Sequence, residues 1–370
     1  LACNSTKEII VLKKILFIAA HRKDRSPGQR FRFEQYFDFL NANGYTCDLS
    51  FIINENDDKI LYSKGKYFDK VIIVLKSVVI RLKDVLRRND YDIIFVFREG
   101  FLTGTVLFEE LLSKSKAKMV FDFDDAIWHF DVSEANKSMG WLKNPGKTAR
   151  LISFADVIFA GNQYLADYAK HHNDNVVIVP TTIDTQKFDL PPRKNSEVVC
   201  IGWTGSMTTI KHFAMAIPAL QEIKRKYKEK VIFKVIGDPT YINQELNIQG
   251  VKWTAEDEVI QLAAIDIGIM PLPDDEWSNG KCACKGLQYM ALKIATVMSP
   301  VGVNSDIIQD GVNGFLADKT EEWVDKLSLL IEDEQLRRNL AENGRTTVLE
   351  KYSVKANAPL YLKYFNELTK

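Results

Sequence analysis

The sequence predicts an α/β protein made of two doubly wound domains that face each other across a cleft. Three observations carry that expectation. The chain has 370 residues, more than one ordinary hydrophobic core accommodates. Short apolar runs ending in small or polar residues alternate with amphipathic stretches of helical period, as buried parallel strands alternate with their crossover helices. A polar stretch, 189–197, containing Pro191 and Pro192, interrupts the alternation and reads as an exposed linker.

Composition narrows the class. The chain is 46% hydrophobic and 26% charged with a formal net charge of zero, which describes a soluble globular protein and gives no support for a nucleic-acid partner. Five cysteines are scattered and odd in number, with no CxxC pair, so a reducing compartment is expected. Cys282 and Cys284 lack a second cluster to complete a metal site. No apolar run reaches the length of a membrane span, and the opening LACNSTKE has no leader-like core. A cytoplasmic location is expected.

In chain order, 14–20 (KILFIAA) reads as the first parallel strand. The loop after it has one glycine, Gly28, and no GxGxxG, which argues against a dinucleotide site. It gathers Arg22, Arg25, Arg30 and Arg32, which would attract an anionic substrate or simply be solvated. A helix over 30–43 closes at Gly44, and 47–53 forms the next strand. The stretch 76–88 reads as an amphipathic helix with Val78, Val79, Leu82, Val85 and Leu86 inward. Its outward residues are Lys76, Arg81, Lys83, Arg87 and Arg88, a face that either meets anionic lipid headgroups or is solvated. Strand 92–97 leads to Arg98.

Strand 119–121 runs into Asp122, Asp124 and Asp125, followed by Trp128 and His129. Alternation puts Asp122 and Asp124 on one side, with Asp125 turning the corner. A divalent ion, a helix cap or substrate hydroxyls would each use such carboxylates, and hydroxyl binding is preferred. The segment from Gly140 to Thr148 nearly spells a P-loop. Five residues separate its glycines where four are required, and no strand precedes it, so it is set aside.

Beyond the linker, strand 198–203 enters Thr204, Gly205 and Ser206, then a helix carrying Lys211 and His212. Strand 231–236 enters Gly237, and strand 266–270 enters an acidic loop. A helix beginning near Ser278 would place Lys281, Lys285 and Gln288 on one face, with the lysines in the first turns, where free N–H groups favour an anion. Strand 294–299 follows and ends at Gly302. This is where a phosphate-bearing ligand would sit, the alternative being a solvated face. From 320 onward, charged amphipathic helices show no evident chemistry.

Three places taken together resemble a known family. Residues 179–188, the run 201–206 with Lys211, and 280–295 with the turns 299–304 and 310–314 are similar to retaining, two-Rossmann-domain (GT-B) glycosyltransferases of family 4, glycosyl transferases group 1. The resemblance implies hexosyl-type transfer, with retention, from a nucleoside-diphosphate sugar to a glycan, lipid-linked or other acceptor. It needs neither metal nor cofactor. It implies an acceptor-side domain over 14–185, joined by a returning helix at 356–370, and a donor domain over 186–355. Diphosphate would be held by Lys211, Lys281 and Lys285 with backbone donors from Gly205 and Ser206, and the nucleoside by Gln288 and Gly237. Asp124, Asp125 and His129 would face the reacting sugar and acceptor, with Gly28, Arg30, Arg32 and Arg98 lining the cleft. The family's glutamate pair falls on Gly280 and Gln288, and Trp203 replaces a frequent arginine. Those departures leave open a non-catalytic sugar-nucleotide-binding subunit, or an epimerase or phosphorylase of the same fold. A peripheral contact at the inner face of the membrane through 76–88 is a further expectation.

Overall fold

The computed structural model describes residues 12–61, 63, 65–129, 144–190 and 197–370. Cys3, residues 140–143 of the P-loop-like segment and the Pro191-Pro192 part of the linker lie outside the described residues.

Two parallel six-stranded sheets organise the chain. The first runs in the order β2-β1-β3-β4-β5-β6 and comprises β1 (Lys13–His21), β2 (Tyr45–Ile53), β3 (Ile93–Phe97), β4 (Lys118–Phe123), β5 (Val157–Ala160) and β6 (Val176–Ile178). In the second sheet are β7 (Val199–Thr204), β8 (Val231–Gly237), β11 (Val251–Lys252), β12 (Ile267–Met270), β13 (Ala295–Met298) and β14 (Phe315–Leu316), in the order β11-β8-β7-β12-β13-β14. A small antiparallel pair, β9 (Ile242–Asn243) and β10 (Ile248–Gln249), interrupts it. Helices cover both faces of parallel sheets, so their central strands are apolar throughout. Residues 15–19 and 93–96 are fully buried, and every residue of β7 is buried.

The order of strands fixes where ligands can enter. Each sheet reverses direction once, between β1 and β3 in the first and between β7 and β12 in the second. Loops leaving the carboxyl ends of two such strands diverge and open a crevice. The helix Val354–Leu368 packs on the first sheet, where Tyr361 and Phe365 surround Phe159 and the Tyr361 hydroxyl donates to the Arg32 carbonyl.

Several helices differ from the sequence expectation for identifiable reasons. The expected helix over 30–43 is two helices, Pro27–Arg32 and Phe37–Ala42, separated by a 3-10 turn. Phe33 leaves the helical region with φ −139° because its ring is inserted between Phe17 and Phe95, at 5.2 and 5.6 Å. The helix expected over 76–88 runs Tyr67–Leu86 and is rotated from the predicted orientation. Val78 and Val85 face inward as expected, but Val79, Leu82 and Leu86 point outward, whereas Lys70, Ser77, Arg81 and Asp84 are buried. Arg81 causes the rotation. Its guanidinium donates to the carbonyls of Ala19 and Gly100, to Ser50 Oγ at 2.9 Å and to Asp84 Oδ2 at 2.8 Å. None of the described helices is long and apolar enough to cross a membrane.

Candidate active site

The crevice of the second sheet is built from the loops after β7 and β12. The single helix expected from Ser278 is instead Glu276–Asn279, capped by Asp275, then a turn, then Cys284–Ala291. Ala283 takes a left-handed conformation, φ +53°, which breaks the helix and puts Lys281 in the turn rather than on a shared face with Lys285 and Gln288. Lys285 stays in the first turn of the second helix. Its Nζ lies 5.8 Å from the Trp203 ring, at the end of β7, and it has no hydrogen-bond or ion-pair partner among the described residues. Burial, and then the Lys281 charge, pull its pKa down to about 8. His212 lies in the same positive field; burial and then Lys285 and Lys281 lower its pKa to about 4, so it is neutral at pH 7. Lys211 is exposed on the adjoining helix Ile210–Tyr227.

Opposite stands the aspartate loop after β4. β3 and β4 pair in register from Ile93 to Asp122, which sets Arg98 beside the loop. Arg98 takes φ +58°, and its guanidinium holds Asp124 at 2.7 Å and Asp125 at 2.5 Å. Burial disfavours that charge, but the two carboxylates outweigh it and hold the Arg98 pKa above its ordinary value. Asp125 also accepts from Lys281 Nζ at 2.8 Å, across the domain boundary. Burial works against the Asp125 carboxylate, yet Lys281 and Arg98 together keep its pKa low. Gly28 has a role here: a Cβ on it would come within 3.2 Å of both Arg98 Nη2 and Asp124 Oδ2. His129 Nε2 lies 3.6 Å from Glu276 of the second domain.

The domains touch at further points as well, three of which frame the cleft. Asn162 caps the helix Gln163–Lys170 and donates across to the carbonyls of Lys281, at 3.0 Å, and Asn279, at 3.3 Å. Gly280 packs so closely that a Cβ would lie 2.7 Å from the Ala126 Cβ. Arg30 Nη2 reaches Glu258 Oε2 at 2.6 Å, while Trp253 Nε1 and Gln288 Nε2 both donate to Glu258 Oε1 at 3.0 Å.

These contacts revise several expectations. Arg32 does not line the cleft; it is 0% exposed, bonded to Asp122 and the Val179 carbonyl. Arg30 is not an open anion-binding cation, because Glu258 already occupies it. The backbone N–H groups of Gly205 and Ser206 are not free for phosphate: they donate to the Ile236 carbonyl and to Thr209 Oγ1, both at 2.9 Å. Gly205 is required by packing instead, since a Cβ would strike the Trp203 ring, and Gly237, φ +128°, abuts the Gly205 carbonyl. Gln288 is 4% exposed and turned toward Glu258. Glu258 was invisible to sequence reasoning, where a lone acid opening a helix reads as ordinary N-terminal charge.

Two parallel-sheet α/β domains facing across this crevice define the GT-B architecture. Comparisons with known proteins agree. Residues 198–333 match the family described as Glycosyl transferases group 1. An uncharacterized glycosyltransferase of Methanocaldococcus jannaschii is 24% identical over 311 residues, covering 76% of this chain and 77% of its own. A glycosyltransferase from Rickettsia africae superposes with TM-score 0.69 at 15% identity, covering 97% of this chain and 99% of that one. Sucrose-phosphate synthase from Thermosynechococcus elongatus gives TM-score 0.66 at 13% identity, over 96% and 99% of the two chains. HepE from Anabaena, solved with UDP and glucose, also gives 0.66, at 14% identity over 96% and 99%. At these identities the superpositions show the fold.

Proposed function

We propose that this chain is a glycosyltransferase that moves a hexosyl-type sugar from a nucleoside-diphosphate sugar to a glycan or lipid-linked acceptor, with retention of configuration. The observation that carries the reading is Lys285. It is an ammonium with no hydrogen-bond or ion-pair partner among the described residues, held against Trp203 at the switch point of the second sheet, inside a family match covering 198–333. A partly dehydrated, unpaired cation is costly to keep in the free protein, and a diphosphate would satisfy it. HepE, of the same architecture, was solved with UDP and glucose, which supports a nucleotide-sugar donor here.

In this reading Lys285, Lys281 and the more distant Lys211 stabilise charge as it develops on the leaving diphosphate. Asp124 and Asp125, fixed by Arg98, offer acceptors to sugar or acceptor hydroxyls, with His129 at the edge of the same opening. Front-face departure and attack would rely on positioning and on this charge rather than on a metal, so turnover should persist in EDTA.

A second reading, a subunit that binds a sugar nucleotide without turning it over, is favoured by Gly280. Its contact with Ala126 leaves no room for the acidic side chain that the resembled family carries there. Titration with UDP, GDP and their sugars, followed by a transfer or hydrolysis assay, separates the two. Lys285→Ala should weaken diphosphate binding by about 10- to 100-fold, the ~1.5–3 kcal/mol of a charge-assisted hydrogen bond. Unchanged affinity would remove the proposed donor site, and binding without turnover would select the second reading.

A further inference from the structure

The helix Tyr67–Leu86 is apolar on its exposed side. Its buried face mixes Ile73 and Val85 with Lys70, Ser77, Arg81 and Asp84, while its outward face carries Phe68, Val71, Leu75, Val79, Leu82 and Leu86. These six recur every three or four residues and form one stripe along about 30 Å of helix, at 1.5 Å per residue. Phe68 is 77% exposed, Leu75 60% and Leu86 82%. An apolar strip of this length on a monomer surface marks a contact site. The helix cannot roll to bury it, because Arg81 is tied to Ala19, Ser50, Asp84 and Gly100 behind.

We infer that this face is a membrane-docking surface that lies in the headgroup region of an anionic bilayer. Two features select lipid over a protein partner. The stripe holds no polar or charged side chain over its whole length, so it offers depth of insertion and nothing to read a specific partner with. Its flank is basic: Lys76, Lys83 and Arg87 stand beside it on one side, with Asp69 the acidic exception. Lys76 and Arg87 share their charge with Asp57 and Asp84, at 3.3 and 3.0 Å, while Lys83 has no partner among the described residues. Apolar depth with a basic margin is the chemistry of an interfacial helix. The inference stands apart from the sugar-transfer reading, since it uses no residue of the crevice.

The test is flotation of the full chain with vesicles of equal parts phosphatidylglycerol and phosphatidylcholine, against phosphatidylcholine alone. Binding should favour the anionic vesicles and weaken with salt. Leu75→Glu combined with Leu82→Glu should reduce partitioning at least about tenfold, and Lys83→Ala by about fivefold, the worth of one cation at such a surface. Thermal midpoints and circular dichroism report whether the variants remain folded. Independently of them, added emission from a Val79→Trp chain should shift to the blue on vesicle addition. Unchanged partitioning of the folded double variant, or no spectral shift, would overturn the inference. So would light scattering that shows a dimer which the double variant dissolves, because the stripe would then belong to a second copy.

Discussion

In the first domain, the arginines of the segment that follows β1 and Arg98 before the aspartate loop each have a carboxylate. Arg22 and Arg25 share Asp58, Arg30 takes Glu258, Arg32 takes Asp122, and Arg98 spans Asp124 and Asp125. Across the cleft the lysines are treated differently. Lys281 pairs with Asp125, but Lys285 and Lys211 have no partner among the described residues. The guanidinium fork suits bidentate frameworks, and these arginines hold loops and domains in place. An ammonium left unpaired and half-dehydrated contributes nothing of that kind. The contrast separates charge used to build the cleft from charge kept available within it.

The sharpest way to break this comparison is to remove a framework partner. Asp122→Asn would strand the fully buried Arg32 guanidinium and should cost about 3–5 kcal/mol in urea unfolding, whereas Lys285→Met should cost nothing and even stabilise the free protein. If the two changes had equal effects, the division would fail. Arg30→Met should come next, at about 2–3 kcal/mol, because Glu258 loses its Oε2 partner but keeps the Trp253 and Gln288 donors on Oε1; its signature is a loosened domain interface seen by small-angle scattering. The pH dependence of ligand binding sharpens the other side. With a folded pKa of about 8 against an ordinary 10.5, protonated Lys285 costs stability below about pH 8, and that cost fades as pH rises toward 10.5. Diphosphate needs the protonated form, so affinity for UDP should fall above about pH 8, a limb that Lys285→Arg displaces upward. Smallest of all, Lys211→Ala should change that affinity by less than about threefold, as expected of an exposed cation.

The strands were legible because parallel strands buried on both faces must be continuously apolar; 14–20 and 198–203 show it plainly. Side-chain roles were less so. The crowding of arginines after β1 was visible, but their partners lie far along the chain, Asp122 at 90 residues from Arg32 and Glu258 at 228 from Arg30. Nothing local announces such pairs. The rotation of the helix Tyr67–Leu86 is not legible in the sequence because periodicity assumes apolar residues face inward, and Arg81 overrides that by satisfying carbonyls contributed by two other segments. Between Ser278 and Gly302, Lys281 and Lys285 are plain in the sequence while their geometry is not, since a left-handed alanine carries no sequence signal.

The helix Val354–Leu368 bears on how the chain comes off the ribosome. Tyr361 and Phe365 fill the first sheet's aromatic core, yet they are translated only after the whole second domain. Until then the surfaces of Phe95 and Phe159 that they cover stay open, so the amino-terminal half cannot finish folding in the order it is made. The second domain, whose sheet is complete by residue 316, can close first. A nascent chain of this design exposes that aromatic surface for a long interval, and the amino-terminal half expressed alone should require residues 354–368 in trans to become soluble.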